Sequence, residues 1–236
     1  MAFRTTRHIP NMITCCNLVS GCIATVMAFQ QDYYGALGFI LLGAFFDFFD
    51  GMAARLLGVS SPMGIEMDSL ADDVTFGVAP SVILYSLLRE VSYPVWLLPV
   101  QGWFPFLAFI MAAFSALRLG KFNIDKRQSV SFLGLPTPAN ALFWSGLAVS
   151  AHAFLVSVYG MALWLTLGML LMSVLLVTEI PMFSLKFKDG SWQHNWVRYL
   201  FLLVCLAFII VWKVGALPLI IVWYIVLSLL TQRKAE

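Results

Sequence analysis

Residues 47–73 read DFFDGMAARLLGVSSPMGIEMDSLADD, and this stretch decides both the fold and the chemistry of the chain. It holds six of the twelve acidic residues, although long apolar runs flank it on both sides. A charge at the centre of a bilayer costs about 2.5–3.5 kcal/mol even on a lenient insertion scale. Acidic side chains clustered in such an apolar chain must therefore be paired, hydrated or bound to cations.

The composition of the whole chain places it in a membrane. Of its 236 residues, 61% are hydrophobic and only 11% are charged. A soluble domain of this size cannot hide so much apolar surface, so the soluble classes are excluded and we expect no nucleic-acid partner. The four cysteines lack metal-ligand spacing and are interpreted as small packing residues.

Apolar segments long enough to cross a bilayer, about 20 residues each, recur along the chain. The predicted spans are residues 13–29, 34–57, 64–88, 95–117, 138–156, 159–178, 199–212 and 215–231. The sequence therefore predicts an all-α polytopic membrane protein, a bundle of about 8 transmembrane helices that forms a single catalytic domain over residues 1–236. Within it we expect a six-helix catalytic core over residues 1–178, followed by a cytoplasmic loop and two extra helices over residues 179–236.

The basic residues indicate the orientation of these spans. With eight spans and a cytoplasmic amino terminus, twelve of the fourteen Lys and Arg residues lie on the cytoplasmic side. Such an excess is what the positive-inside rule describes, and an odd number of spans would destroy it. We therefore expect both termini in the cytoplasm.

Helix geometry gathers the acidic residues of the opening stretch. Asp47 and Asp50 are three residues apart and share one face of the second span, while Asp68 and Asp72 are four apart and share a face of the third. The two spans are antiparallel around a short link near residues 58–62, so the two pairs can face each other. Oxygen-rich clusters of this kind suit hard divalent cations such as Mg²⁺ or Mn²⁺.

Small residues and one cation accompany the carboxylates. Gly51 and Ala54 lie on the flank of Asp50, and Gly64 precedes the second acidic pair by one turn. Small residues permit close helix approach, and they can equally clear space for a flat base or a phosphate chain. Arg55 can pair with a carboxylate or hold an anionic phosphate.

This pattern resembles the signature of the CDP-alcohol phosphotransferases. The fixed positions of that signature are filled, at the spacing of the family, by Asp47, Asp50, Gly51, Ala54, Arg55, Gly64, Asp68 and Asp72. The resemblance implies cleavage of the phosphoanhydride of a CDP-linked lipid with release of CMP, at a site of two divalent cations held by the four Asp. It also implies that Gly51, Ala54, Arg55 and Gly64 seat the cytidine and its phosphates. Asp72 then takes the proton of the attacking hydroxyl, and a homodimer is expected.

Three further stretches resemble one branch of that family, the bacterial membrane-type phosphatidylserine synthases. They are residues 10–17, residues 69–80, and residues 118–123 together with 132–139. The branch implies CDP-diacylglycerol as donor, L-serine as acceptor, and a multi-pass protein of the bacterial inner membrane with its active site at the cytoplasmic face. Asp73 and Thr137 depart from the pattern of the branch.

Other polar residues near the predicted membrane surface are candidates for substrate binding. Arg118, Lys121 and Asn123 lie where the fourth span reaches the cytoplasm, and they can bind serine or the phosphates of the lipid. Ordinary flanking charge explains Lys121 equally well, but it does not explain Asn123. Thr14 and Asn17 either line the nucleotide site or bond to a neighbouring helix.

Two alternative functions stay open at this level. The same chemistry can use another acceptor, such as glycerol 3-phosphate or inositol phosphate, although a phosphorylated acceptor needs more cations near the acidic cluster than the sequence offers. An ion transporter can also use intramembrane carboxylates, but transporters often carry repeated halves and a site at mid-membrane.

Direct attack by the alcohol is preferred to a covalent phosphatidyl-enzyme, because Asp72 is the one residue placed as a base.

Overall fold

The computed structural model describes residues 8–59, 61–124, 132–182 and 192–232. Residues 183–191 of the predicted cytoplasmic loop after residue 179 lie outside the described residues. Nine α-helices and one short pair of strands form within the described part. The helices are α1 (Ile9–Phe29), α2 (Tyr33–Leu57), α3 (Pro62–Asp72), α4 (Ala79–Glu90), α5 (Ile110–Ile124), α6 (Thr137–Ser157), α7 (Met161–Val177), α8 (Trp192–Trp212) and α9 (Ala216–Gln232).

Six helical stretches in the described chain are long and apolar enough to cross a membrane. They are Ile9–Phe29, Tyr33–Leu57, Pro62–Glu90, Phe104–Ile124, Thr137–Ser157 and Asn195–Thr231. The last of them contains most of α8 and α9, which contact each other across a 3₁₀ turn at Lys213–Gly215. Helix α7 is also apolar but has only 17 residues. The predicted class, an all-α polytopic membrane protein, is thereby confirmed.

The start of the fourth span differs from the prediction. Two 3₁₀ segments, Val95–Val100 and Phe104–Phe109, precede α5, so the membrane-length stretch begins at Phe104 and not at residue 95. Pro99 and Pro105 lie in these segments, and proline cannot donate the backbone hydrogen bond that a regular helix needs. Apolar composition alone does not show such a break.

The helix termini around residue 60 make a tight hairpin of α2 and α3. Helix α2 ends at Gly58, whose left-handed φ of 61° lets its N–H turn back to the last carbonyls of the helix. Helix α3 begins after Ser61, whose hydroxyl accepts a hydrogen bond from the N–H of Gly64 at 3.0 Å. Pro62 occupies the first turn, where its missing N–H costs nothing. The hairpin therefore brings the end of α2 beside the start of α3.

A π-helical turn, Asp73–Val78, joins α3 to α4 within one continuous helical stretch. Pro80 follows it, and because proline has no N–H the regular hydrogen bond to residue 76 cannot form. Gly77 lies in the turn because a Cβ there would come within 2.6 Å of Asp73 Oδ1 and 2.9 Å of Ser115 Cβ. Such widened turns often occur at functional sites, and this one directly follows Asp72.

Helix α4 forms the centre of the bundle. In the Pro62–Glu90 stretch, 67% of an 18-residue apolar segment is buried inside the protein, compared with 17% in Asn195–Thr231. Residues Val82, Ile83, Leu84, Leu87 and Leu88 are all almost fully buried and surround the helix axis. A helix that is buried on nearly every side is enclosed by its neighbours, so helices among the other first six pack around α4 while α8 and α9 lie at the periphery.

A second polar cluster lies at the end of the bundle away from the α2–α3 hairpin. Glu90, the last residue of α4, bonds to the hydroxyl of Tyr33 and lies 2.9 Å from His152 Nε2. The rings of Tyr33 and His152 are 5.5 Å apart between centroids. This Glu90 cluster connects α2, α4 and α6, and it gives its single carboxylate two partners.

Two short strands join the segment before α6 to the segment after α7, at the end of the bundle that holds the α2–α3 hairpin. β1 (Phe132–Leu133) pairs antiparallel with β2 (Pro181–Met182), with Leu133 opposite Pro181. Gly134, with φ of 74°, follows β1 and lies so close to the end of α7 that a Cβ would be 2.5 Å from the carbonyl oxygen of Leu176. The helical prediction did not contain this ribbon, because two-residue strands leave no periodic pattern in a sequence.

Candidate active site

Three carboxylates meet at the α2–α3 hairpin. Asp47 and Asp50 of α2 and Asp68 of α3 each offer one oxygen, and these oxygens lie within 4.8 Å of one another. The sequence predicted a group of four, these three together with Asp72, from helical spacing and the short link. The structure thus contains a compact acidic cluster, hereafter the aspartate cluster, formed by two helices that Gly58 and Ser61 cap into a hairpin.

Asp72 lies beside the aspartate cluster and is held separately. Its Oδ1 accepts a hydrogen bond of 2.9 Å from Asn17 Nδ2 of α1. The carboxyl of Asp72 lies within electrostatic range of those of Asp47 and Asp68. The fourth Asp of the signature is therefore adjacent to the other three but is oriented by a different helix.

Helix α1 supplies the polar side chains that position these carboxylates. Thr14 Oγ1 donates to Asp50 Oδ2 at 2.6 Å, and Asn17 bonds to Asp72 as described above. Thr75, in the π-helical turn, donates to Asn17 Oδ1 at 2.8 Å. Because Thr14 is 4% exposed and Asn17 and Thr75 are fully buried, these residues bond to neighbouring helices. The structure thus shows the bonding between helices for Thr14 and Asn17, and a place in the nucleotide site stays a prediction for both.

Thr75 is a functional candidate that the sequence analysis did not assign. It orients the Asn17 amide so that the amide N–H points to Asp72 and the amide oxygen points back to the hydroxyl of Thr75. A signal existed, because Thr75 lies three residues after Asp72 and is polar within an apolar span. Its partner lies 58 residues earlier in the chain, and no local pattern identifies such a contact.

The aspartate cluster fits a divalent cation. Its ligand atoms are all carboxylate oxygens, which are the donors that Mg²⁺ and Mn²⁺ prefer. Asp68 Oδ1 is buried and has no hydrogen-bond partner in the described part of the chain, and a buried polar atom of this kind calls for a ligand. Within the same described part, no Lys or Arg forms an ion pair with these Asp residues.

The small residues of the signature differ in what they do. Gly51 is exposed, and nothing lies within 4 Å of the position a Cβ would take, so an open space adjoins Asp50. Gly64 is used for close packing, since a Cβ there would lie 3.1 Å from Ser61 Oγ and 3.2 Å from Asn11 Oδ1. Ala54 is half-buried, and the exposed Arg55 donates its Nε–H to the carbonyl of Gly51 at 3.0 Å.

The three predicted binding residues of α5 differ in what they contact. Asn123 Nδ2 donates to Ser69 Oγ of α3 at 2.9 Å, next to the aspartate cluster. Lys121 Nζ donates to the carbonyl of Val177 at the end of α7, at 3.2 Å. Arg118 is 7% exposed and lies with Lys121 along a small cavity between α5 and α7. Two of the three therefore share one cavity, while Asn123 connects α5 to α3.

Fold and site together define an α-helical membrane protein with a cluster of carboxylates suited to a divalent cation at the hairpin of its second and third helices. The model of the CDP-alcohol phosphatidyltransferase family matches residues 7–183, and the chain belongs to that family. This result confirms the resemblance inferred from the signature.

Several curated relatives with similar sequences carry the name of the same enzyme. The CDP-diacylglycerol–serine O-phosphatidyltransferase of Bacillus subtilis (strain 168) is 43% identical over 131 residues, which cover 56% of this chain and 70% of that protein. The protein of the same name from Mycobacterium leprae (strain TN) is 31% identical over 94% of this chain and 72% of its own. That of Helicobacter pylori (strain J99 / ATCC 700824) is 30% identical over 94% and 89%, respectively. The predicted resemblance to phosphatidylserine synthases is confirmed.

Proposed function

We propose that the protein transfers the phosphatidyl group of CDP-diacylglycerol to the hydroxyl of L-serine, giving phosphatidylserine and CMP. The observation that carries this proposal is the aspartate cluster with Asp72 beside it, on the signature of the family. The printed names of the relatives support serine as the acceptor. The cell compartment expected for this reaction is the bacterial inner membrane, with the site at the cytoplasmic face.

Asp47, Asp50, Asp68 and Asp72 are proposed to hold two divalent cations, Mg²⁺ or Mn²⁺. When bound, such cations neutralise the pyrophosphate and the charge that develops on the leaving phosphate. The buried Asp68 Oδ1 without a hydrogen-bond partner supports its assignment as a ligand.

Asp72 is proposed as the general base. The Asn17 amide fixes one of its oxygens and thereby orients the carboxylate for both of its proposed roles, as metal ligand and as base. As the hydroxyl oxygen forms its bond to the lipid-side phosphorus, Asp72 takes the proton, and the phosphoanhydride bond breaks to release CMP. Thr75 and Asn17 are positioning residues, because they act on the reaction through the orientation of Asp72.

The nucleotide and the acceptor are proposed to approach from different sides. Gly51, Ala54 and Arg55 border the open space next to Asp50 and seat the cytidine diphosphate, with Gly64 closing the hairpin behind them. Arg118, Lys121 and Asn123 lie on α5 and bind the acceptor or the phosphate of the lipid.

The proposed membrane arrangement rests on the number of apolar helices. We propose eight spans with both termini in the cytoplasm, because α7 is a separate apolar helix and the stretch Asn195–Thr231 comprises two contacting helices. Residues 1–178 form the six-helix core of the single domain, and α8 and α9 are peripheral additions. A homodimer is proposed from the resemblance to the family.

Release of CMP by the purified protein in detergent tests the function directly. The protein is mixed with CDP-diacylglycerol, Mg²⁺ or Mn²⁺, and one acceptor at a time: L-serine, glycerol 3-phosphate or inositol phosphate. CMP and a new lipid with serine alone support the proposal. Activity with another acceptor contradicts the serine assignment and keeps the chemistry. Folded protein without activity on any acceptor contradicts the transferase itself and favours ion transport by the carboxylates.

A further inference from the structure

The connection between α4 and α5 exposes apolar side chains at the end of the bundle that holds the Glu90 cluster. Residues 91–103, hereafter the α4–α5 segment, contain no charged residue. They end where the membrane-length stretch Phe104–Ile124 begins. Trp103 is 79% exposed, and the other exposed large apolar residues of the segment are Val95, Trp96, Leu98 and Val100. So many apolar side chains together on a surface indicate a contact with lipid or with another protein.

The backbone of the α4–α5 segment is too irregular for the hydrocarbon core of a membrane. Val95–Val100 is a short 3₁₀ helix that contains Pro99, and the exposed residues 101–103 form a turn after it. Lipid chains cannot form hydrogen bonds with the backbone, so irregular backbone exposed to lipid does not occur in the core. The segment therefore needs lipid for its side chains and water for its backbone. Only the interface between membrane and water supplies both.

Hydrogen bonds to the turn between α6 and α7 fix the orientation of the segment. Ser92 Oγ donates to the carbonyl of Val158 at 2.8 Å, and the N–H of Val95 donates to the hydroxyl of Tyr159 at 3.1 Å. Leu97 is buried against the bundle. Because the segment is held on this side, its exposed apolar side chains point away from the bundle.

Other connections place aromatic side chains at the same end of the bundle. Tyr159 and Trp164, on either side of the start of α7, and Trp212, at the end of α8, are all more than half exposed. The α8–α9 turn belongs to this end, because a Cβ at Gly215 would lie 3.4 Å from the Cβ of Ser150, near the Glu90 cluster on α6. Trp and Tyr are enriched at membrane interfaces, where the ring lies among lipid and the N–H or O–H reaches water.

We propose that the α4–α5 segment lies in the headgroup region of the bilayer, with Trp96 and Trp103 at the boundary to the acyl chains. Together with Tyr159, Trp164 and Trp212 they form an aromatic belt around this end of the bundle. A second copy of the chain would cover one side, whereas these side chains come from three different connections. The partner of the surface is therefore the lipid interface. Its role is to anchor the bundle at a fixed depth and tilt, and hence to fix the level of the aspartate cluster at the opposite end.

The depth of the segment in a bilayer tests the proposal. A spin label is attached to Leu98→Cys in the full chain, with the four native cysteines replaced by alanine, in vesicles of phosphatidylcholine and phosphatidylglycerol. Collisions with oxygen, which concentrates in lipid, and with a water-soluble nickel chelate report the depth. We expect about 5–10 Å into the boundary between headgroups and acyl chains. The reference is Leu203→Cys, which is exposed in the middle of α8 and should lie about 15 Å deep.

A second measurement keeps the native cysteines. Lipids brominated at different positions along the acyl chain quench tryptophan fluorescence on contact. The difference between the wild type and Trp96→Tyr/Trp103→Tyr reports these two indoles alone. We expect the strongest quenching from bromine near the headgroup end of the chain. Trp212→Tyr is the matched comparison, since a belt requires the same depth for its indole, and a clearly different depth contradicts the belt.

Removal of the rings tests the anchoring role. In Trp96→Ala/Trp103→Ala, we expect the label at Leu98→Cys to move toward water, with more frequent collisions with the nickel chelate. The Tyr pair should restore the original depth, because Tyr shares the preference of Trp for the interface. An unchanged collision rate in the Ala pair contradicts the anchoring role.

Three results for the Leu98 label overturn the inference. A depth equal to that of Leu203 shows that the segment begins a transmembrane span, as the sequence predicted for residues 95–117. A label that the nickel chelate reaches as freely as in water shows an aqueous loop. A label that neither oxygen nor nickel reaches shows that another protein chain covers the surface. None of these results bears on the proposed transfer reaction, which CMP release tests separately.

Discussion

The two polar clusters of the bundle differ in the hydrogen-bond partners that their carboxylates have. In the Glu90 cluster one carboxylate has two partners, the hydroxyl of Tyr33 and the imidazole of His152. In the aspartate cluster three carboxylates face one another, and Asp68 Oδ1 has no hydrogen-bond partner within the described chain. Helix α2 carries both, with Tyr33 at its start and Asp50 about 25 Å further along.

This difference shows how a structural carboxylate can be distinguished from a functional one in a membrane. A buried charge that is paired and hydrogen-bonded stabilises the packing of the helices that hold it. Carboxylates that repel one another reduce the free energy of unfolding until a cation binds. The Glu90 cluster is therefore complete in the protein alone, whereas the aspartate cluster requires a ligand.

Removal of the proposed base is the change with the largest expected effect on activity. Asp72→Asn keeps the size of the side chain but cannot accept the acceptor proton, so we expect kcat to fall by about 10²- to 10⁴-fold. CMP release from CDP-diacylglycerol measures it. Asp73→Asn is the matched control and keeps most of the activity. An equal loss in both variants points to damage of the π-helical turn and contradicts the base assignment.

Removal of a proposed metal ligand tests the aspartate cluster through stability. Mg²⁺ at 100 times its Kd stabilises a folded protein by about 2.7 kcal/mol. We expect this gain in the wild type and its loss in Asp68→Asn. Without divalent cations the same variant unfolds at a higher temperature than the wild type, because one of the repelling charges is gone. A lower unfolding temperature under those conditions contradicts the cluster's need for a cation.

The corresponding change in the other cluster has the opposite sign. Glu90→Gln leaves Tyr33 and His152 without their charged acceptor, and we expect a loss of about 1–3 kcal/mol of stability. Thermal unfolding in detergent measures it, with His152→Ala as the second member of a double-mutant cycle. CMP release at a temperature where the variant is folded should stay near wild type. A strong loss of activity there would show that the Glu90 cluster takes part in function.

Two glycines of the signature, Gly51 and Gly64, give the smallest expected effects. Gly51→Ala meets no neighbouring atom and gains about 1 kcal/mol of helix propensity, but its methyl group enters the proposed nucleotide space. We expect equal or greater stability and a higher KM for CDP-diacylglycerol. Gly64→Ala crowds Ser61 and Asn11 and should mainly lower stability. The nucleotide assignment fails if Gly51→Ala leaves this KM unchanged.

Much of the candidate site could be predicted because its pattern is local. Asp47, Asp50 and Asp68 were grouped from intervals of a few residues and a short link, and the structure places their oxygens together. The roles of Thr14 and Asn17 stayed open, since they depend on which helix lies beside α1. Thr75 received no role, although its polarity within an apolar span was visible.

In the fold, too, local features could be predicted and features that depend on distant contacts could not. Apolar length predicted the membrane class and most of the helices, while the boundaries shifted where prolines interrupt the pattern, as at Pro99 and Pro105. The π-helical turn before Pro80 and the ribbon of β1 and β2 were not predicted. Both depend on packing against distant segments, which hydrophobic periodicity does not record.

The sequence by itself determined the membrane class, the acidic hairpin and the family, because each depends on composition or on spacing along one or two helices. Only the tertiary structure decided which carboxylates are satisfied. Glu90 has its partners 57 and 62 residues away, and Asp72 has its partner 55 residues away. Such contacts arise when helices pack around α4, and packing depends on the shapes of all the side chains together. The same packing leaves Asp68 Oδ1 without a hydrogen-bond partner among the described residues.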